Sequence, residues 1–172
     1  MKNVFLLAIV ITGLLLSTSA NAKQYTSEDY HCQISFPTDF EEDVDDSKDN
    51  TVITVSATSG SMIYMLTIIK FKELEEETKE NNDVLEVVKL ITCCNNLGAK
   101  VKAGKNIFSF NVGDEKGYYA SNIKAKLNGD KYVGNYFVIM KDDILYQFTA
   151  LGLKKGYNSS EASRFENSFN FM

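Results

Sequence analysis

Residues 131–153 have the sequence KYVGNYFVIMKDDILYQFTALGL, which predicts two strands joined by a turn at residues 141–143. The strands, Lys131 to Met140 and Ile144 to Leu153, both carry apolar side chains on their two alternating faces. A strand that is apolar on both faces is typical of the centre of a sheet covered on both sides. Together with Gly117 to Leu127, these two strands therefore predict an antiparallel meander.

Alternation of apolar and polar residues predicts the remaining strands. Met62 to Phe71 is apolar on both faces, whereas Tyr30 to Phe36 has one apolar face and ends at Pro37. Asn128-Gly129 is a strong signal for a two-residue hairpin turn. The acidic segment Glu41 to Asn50 is predicted to be a loop. The predicted strands are 30–36, 51–59, 62–71, 106–112, 117–127, 131–140 and 144–153.

Two segments change to helical spacing. In Asp83 to Leu97 the apolar residues recur every three or four positions, with Asn82 or Asp83 as the N-cap and Gly98 placed to end the helix. A second helix, capped by Asn158 or Ser159, closes the chain. Because strands with two apolar faces need a covering layer on each side, we expect an α+β domain with an antiparallel β-sheet of about six to seven strands sandwiched between helices.

The first 22 residues have the three parts of a secretory signal. Lys2 supplies the positive start, Val4 to Leu16 is an apolar run of 13 residues, and Ala20-Asn21-Ala22 ends it with small residues. The run is shorter than the ~18–20 residues that span a bilayer. We therefore expect a signal peptide over 1–22 and a single domain over 23–172, periplasmic or secreted, with no stable membrane insertion after cleavage.

Charge argues against a nucleic-acid partner. Without Lys2 the chain keeps 17 basic and 23 acidic residues, a net charge of −6, and its lysines are scattered along the sequence. An acidic chain without a basic cluster is repelled by phosphate backbones. The expected partner is instead a protein or a small ligand.

Little in the sequence predicts catalysis. His31 is the only histidine, and its neighbour Cys32 points to the opposite face if both lie in a strand, so no dyad is expected. No metal-binding motif, nucleotide-binding motif or cofactor is predicted, and we expect no enzyme. The alternative, a secreted hydrolase that uses carboxylates, would rely on Asp114 with Glu115 or on Asp142 with Asp143, which turn chemistry also explains.

The aromatic residues of the meander form the candidate ligand surface. Four tyrosines could line a groove on the sheet, or they could pack beneath the helices with their hydroxyl groups at the rim. These candidate residues are Tyr118, Tyr132, Tyr136 and Tyr146.

Three cysteines in an exported chain allow at most one intramolecular disulfide. Cys32 lies on the inward face of its predicted strand and Cys94 on the inner flank of the first helix, whereas Cys93 points toward solvent. If the strand and the helix pack together, Cys32 and Cys94 can bond in an oxidising compartment. The alternative is a set of free thiols. Asn158 is formally a glycosylation acceptor, which matters only in a eukaryotic secretory route.

The opening strand and the last helix resemble those of a known family. The segment Tyr30 to Pro37, an alternating strand that ends in Phe-Pro, and Ser168-Phe169 near the end of the chain look like the Mog1/PsbP-like family, over roughly Tyr25 to Phe171. The resemblance implies an antiparallel sheet between helices and a binding or assembly-assisting role without an enzymatic mechanism. A structural subunit of an envelope complex is a further alternative. The ligand and the oligomeric state stay open.

The signal peptide gives the first testable prediction. We expect the mature chain to begin at Lys23, because the small residues Ala22 and Ala20 are the first and third residues before the expected cleavage point. Intact-mass analysis of protein recovered from outside the cytoplasm measures the cut directly. A membrane-bound form that keeps residues 1–22 would contradict it.

Overall fold

The computed structural model describes residues 22–72, 82–99, 105–127 and 129–172. Residues 1–21 of the predicted signal peptide, and Asn128 of the predicted hairpin turn, lie outside this part. In the described part, no helix is both long and apolar enough to cross a membrane.

Ten strands and two helices make up the described chain, which is mostly β. Their bounds are β1 (Lys23–Ser27), β2 (Cys32–Phe36), β3 (Glu41–Asp46), β4 (Asn50–Ser59), β5 (Met62–Phe71), α1 (Asn82–Asn96), β6 (Ile107–Val112), β7 (Glu115–Leu127), β8 (Asp130–Lys141), β9 (Ile144–Leu153), α2 (Ser159–Glu166) and β10 (Asn170–Phe171). The bounds of β5 and β9 are those that alternation predicts.

Seven of the strands form one antiparallel sheet, in the order β3-β4-β5-β9-β8-β7-β6. Strand β9 lies at its centre, and nine of its ten residues are buried. Both faces of the sheet are covered, as the apolar pattern of the central strands requires. On one face, which we call the α1 face, Leu90 and Cys94 of α1 pack against side chains such as Val138 and Leu145.

The opposite face of the large sheet is not covered by the layer of helices that the sequence predicts. It is covered by a second sheet, in the order β1-β2-β10, together with the short helix α2, and we call it the small-sheet face. The prediction of an α+β domain whose sheet is sandwiched between helices is therefore wrong, as is the same architecture implied by the family resemblance. The reason is that β10 has only two residues and β1 buries only one, Tyr25, so neither gives an alternating apolar signal.

The acidic segment predicted to be a loop is in large part a strand. Glu41–Asp46 forms β3 at the edge of the large sheet, and all six of its residues are exposed. The Asp46 carboxylate accepts a hydrogen bond from Thr51 and lies 2.8 Å from the ammonium of Lys72. An edge strand needs one partner only, and charged side chains protect its free side from further pairing. Composition alone therefore mistakes a protected edge for a loop.

Strand β7 contains an irregularity that alternation does not predict. Ala120 is opposite Tyr136, but the next regular pair is Ile123 with Gly134, so β7 carries one extra residue there. Within this bulge, Asn122 has a φ of +51°, in the left-handed region that asparagine tolerates.

Helix α1 ends where the sequence predicts. The amide of Gly98, whose φ is +71°, donates to the Asn95 carbonyl, and the amide of Ala99 donates to the Cys94 carbonyl, each at 2.8 Å. This pair of bonds is the Schellman motif. At the second helix, Asn158 is the N-cap, and its side chain accepts from the amides of Ser160 and Glu161.

The central strands give a prediction about stability. Leu66 of β5 is fully buried and Phe148 of β9 is 1% exposed. Replacing either by alanine leaves a cavity, so we expect the free energy of unfolding to fall by about 2–5 kcal/mol. Denaturant titration measures the loss, with the exposed Lys124→Ala as control. Equal tolerance at all three positions would mean that the faces are wrongly assigned.

Candidate functional site

The four candidate tyrosines do not form one surface. Tyr136 is buried on the α1 face, and Tyr118 and Tyr132 are half-buried beside it. Tyr146 is buried on the small-sheet face, where its hydroxyl donates to the Tyr30 carbonyl at 2.8 Å. Burial raises the pKa of both Tyr136 and Tyr146. Tyr136 and Tyr146 therefore pack as core residues, the alternative that strand aromatics favour, whereas Tyr118 and Tyr132 stay partly exposed.

The proposed disulfide is not formed. All three cysteines are free thiols, and burial raises the pKa of Cys32 and of Cys94 to about 12. Cys32 lies in the core of the small-sheet face and Cys94 in the core of the α1 face, so the large sheet stands between them. The pairing is wrong because β2 joins the small sheet rather than the face that α1 covers. Cys93, expected at the surface, is half-buried, with its thiol 3.7 Å from the Gln147 side-chain oxygen.

The acidic pairs of the hydrolase alternative lie in turns. Asp114 and Glu115 are at the β6–β7 turn, while Asp142, with a φ of +56°, and Asp143 are at the β8–β9 turn. Neither pair lines a cavity described below. Within the described ranges, no three His, Cys, Asp or Glu side chains are grouped closely enough to hold a metal ion.

A cleft of about 400 Å³ opens beside edge strand β6 and the end of α2. Strands β6, β7 and β8 line one side of it, and the end of α2 with the two residues Asn167 and Phe169 beyond it lines the other. We call it the aromatic cleft; its lining residues are Phe110, Asn111, Val112, Tyr119, Asn135, Phe137, Glu166, Asn167 and Phe169.

A stack of rings forms the aromatic wall of this cleft. Tyr119, Phe137 and Phe148 occupy directly opposed positions on β7, β8 and β9. The rings of Tyr119 and Phe137 stack with centroids 5.0 Å apart, and those of Phe137 and Phe148 at 4.8 Å. Phe169 extends the stack, 4.7 Å from Phe148. Phe110 stands perpendicular to Phe137 at 5.3 Å. Because each ring is held by its neighbours, the wall is preorganised.

One carboxyl group lines the aromatic cleft. Glu166, the last residue of α2, is only 9% exposed. The side-chain amide of Asn135 donates to both oxygens of Glu166, at 3.2 Å each. The backbone amide of Asn122 in turn donates to the side-chain oxygen of Asn135 at 3.1 Å, which fixes the orientation of the amide. A hydrogen bond from the β7 bulge thus orients Asn135, and two hydrogen bonds from Asn135 orient Glu166.

Two opposing effects set the protonation of Glu166. Burial raises the pKa of its carboxyl group, and the hydrogen bond from Asn135 lowers it. An amide that donates to both oxygens favours the ionised form, because a protonated carboxyl would place its own O–H on one of them. Glu166 takes part in neither of the ion pairs found among the described residues, which join Lys23 to Asp39 and Lys72 to Asp46.

A second hollow, of about 360 Å³, lies near the β7–β8 hairpin and includes Tyr132. Its charged residues are all exposed: Lys124, Lys126, Lys131 and Lys154. It has no buried polar side chain to orient a ligand, so the aromatic cleft is the better candidate site.

Sequence reasoning missed Asn135, Glu166 and the orientation of the ring stack. Alternation does place Phe137 on the face opposite Tyr136, but it does not show which face carries a cleft. The signal that could have found the site is Glu166 in the last turn of a helix whose other inward residues, Ala162 and Phe165, are apolar.

Comparisons with known proteins concern the fold. No family model and no curated protein matches the chain. A solved Bacteroides thetaiotaomicron structure aligns with 87% of this chain at 12% identity and a TM-score of 0.50; the chain spans 48% of that structure. Pseudomonas aeruginosa PA94, of unknown function, aligns over 78% of this chain and 84% of its own, at 9% identity and a TM-score of 0.44. LpqN of Mycobacterium tuberculosis, involved in cell envelope biogenesis, aligns over 88% and 92%, at 8% identity and a TM-score of 0.44.

At 12% identity, the similarity to the Bacteroides thetaiotaomicron structure shows a shared fold and nothing about function. The resemblance to the Mog1/PsbP-like family stays a hypothesis.

The raised pKa of Glu166 predicts a pH-dependent stability. A carboxyl group whose pKa is higher in the folded chain stabilises it below the unfolded value, near 4.5, and loses that contribution as the pH rises through the folded value. We therefore expect Glu166→Gln to gain stability relative to the parent between about pH 4 and pH 7. Denaturant unfolding at each pH measures the difference.

Glu28→Gln, which removes an exposed carboxylate after β1, reports the effect of net charge alone. Unfolding free energies of Glu166→Gln and the parent that stay a constant distance apart across this range would contradict the prediction.

Proposed function

We propose that this chain is an exported, non-enzymatic binding module that receives a small ligand in the aromatic cleft. The observation that carries the proposal is the combination of a fixed aromatic wall with one buried, oriented carboxylate at Glu166. Ligand sites commonly join apolar walls to a few convergent polar groups in cavities of about 300–1,000 Å³.

The lining favours binding over hydrolysis. Hydrolysis by carboxylates uses two of them, about 5–9.5 Å apart in glycoside hydrolases. Glu166 is the one carboxyl group among the residues that line the cleft; the other polar residues there are three asparagines and Tyr119. The acidic pairs at the β6–β7 and β8–β9 turns lie outside it.

Two parts of the proposal, export and an assembly-assisting role, are supported by the sequence alone. The signal-like residues 1–22 support a periplasmic or secreted location. The resemblance to the Mog1/PsbP-like family supports binding, or assistance to the assembly of a complex, rather than catalysis. The small ligand is favoured over a protein partner because the polar group of the site is recessed.

Blocking the cleft tests this function. Val112 lies at its half-buried margin, so Val112→Trp should fill the opening without removing the ring stack. Saturation-transfer NMR with a set of small aromatic alcohols and amines should show binding to the parent and loss of at least about tenfold in affinity in the variant.

The matched control is Val44→Trp, on the exposed face of β3 at the other edge of the sheet. It adds the same indole to the surface and should leave binding unchanged. Fragments that bind Val112→Trp as well as the parent would place binding elsewhere. A parent that binds none of the set would overturn the small-ligand function.

A further inference from the structure

We infer that the ligand of the aromatic cleft carries a protonated amine attached to an apolar body. This inference rests on the proposed function and names the chemical class that the same site would select. It depends on the charge inside the cleft, on the geometry of the acceptors and on the way the rings are stacked.

Glu166 gives the cleft a negative charge, and no lining residue carries a positive charge to balance it. Neither lysine nor arginine is among the nine lining residues, and Asn135 supplies a neutral donor to Glu166. Arg164, in the last turn of α2, is exposed and does not line the cleft. A carboxylate held out of water gains strongly from a cation that reaches it. The carbonyl end of α2 adds partial negative charge at the same place.

Glu166 has acceptor capacity left for such a cation. An ionised carboxylate offers about four acceptor positions, and the Asn135 amide uses one on each oxygen. Asn167, the exposed residue that follows Glu166, also lines the cleft. An ammonium with several N–H donors matches this set, whereas a carboxylate or phosphate would be repelled.

The ring stack indicates which kind of cation fits. Tyr119 covers one face of Phe137 and Phe148 covers the other, so Phe137 has no free face for a cation–π contact. Phe137 therefore offers apolar contact only, and we expect hydrogen bonds to Glu166 to recognise the charge. A primary amine, which donates N–H bonds, should bind better than a quaternary ammonium, which cannot.

Four probes with the same aromatic body test the inference. They are phenethylamine, its trimethylammonium derivative, phenethyl alcohol and 3-phenylpropionate, which carry in turn a protonated amine, a quaternary cation, a neutral hydroxyl and an anion. Calorimetry or NMR titration of the purified protein should give phenethylamine an affinity at least about tenfold above that of the alcohol, with the anion weakest. The trimethylammonium derivative should fall below the primary amine.

Glu166→Gln is the decisive variant, because it keeps the shape and one acceptor oxygen but removes the charge. It should reduce the preference for the amine over the alcohol to about twofold or less, while alcohol binding stays within about threefold of the parent. Glu161→Gln, on the same helix but outside the cleft lining, is the control and should keep the preference.

The outcomes separate the inference from the function on which it rests. If the parent bound the amine and the alcohol with equal affinity, the inference that the ligand carries an amine would be wrong, but the proposal of ligand binding would stand. A preference that survives in Glu166→Gln would also overturn it, since the charge would come from another group. Preference for the trimethylammonium derivative would also overturn the inference, because the cation would then be recognised by contact with the rings and not by hydrogen bonds to Glu166. Failure of all four probes to bind the parent would overturn the ligand function itself.

Discussion

The cross-strand ring stack is the interaction on which the rest of the small-sheet face depends. Antiparallel register sets Tyr119, Phe137 and Phe148 directly opposite one another, and Phe169 adds a fourth ring from the end of the chain. Aromatic pairs of this kind contribute about 0.5–1.5 kcal/mol beyond the apolar area that they bury. The stack ties three strands to the segment after α2, and so fixes where α2 ends over the sheet.

Because the same stack fixes the register of β7 and β8, the β7 bulge determines which backbone amide reaches Asn135. Tyr119 lies just before the bulge, and Phe137 lies two residues beyond Asn135 on the same face of β8. With the rings in register, the extra residue of β7 brings the Asn122 amide to the side chain of Asn135. A regular strand would keep the stack but lose this donor. Aromatic packing and backbone irregularity together therefore determine the position of Glu166.

Much of the fold could be predicted because its strongest signals are local. Met62–Phe71 and Ile144–Leu153 have two apolar faces, which periodicity detects directly, and Gly98 marks the end of α1. The second sheet could not be predicted because Asn170–Phe171 is too short and β1 has one buried residue, Tyr25. Alternation along a strand indicates that one of its faces is covered, but it does not indicate whether a helix or a second sheet covers it, because that depends on tertiary packing.

The site was less predictable than the fold, for a related reason. Alternation assigns Tyr136 and Phe137 to opposite faces without saying which face is closed and which has an opening. The tyrosines attract attention because of their hydroxyl groups, yet Tyr136 and Tyr146 are core residues, and none of the four candidates lines the aromatic cleft. The cleft is lined by three phenylalanines, three asparagines, Val112, Tyr119 and Glu166, and the bulge that orients Asn135 leaves no periodic trace.

Glu166 departs from the rule that carboxylates lie in water. It is a nearly buried carboxylate at the C-terminal end of a helix, where burial and the helix dipole both disfavour negative charge. An apolar residue at this position would fill the same space at lower cost. The chain instead supplies a bulge, a left-handed Asn122 and an oriented Asn135 to hold it. The bulge, Asn122 and Asn135 are local departures from regular structure that converge on Glu166, and they support the ligand site proposed for the aromatic cleft.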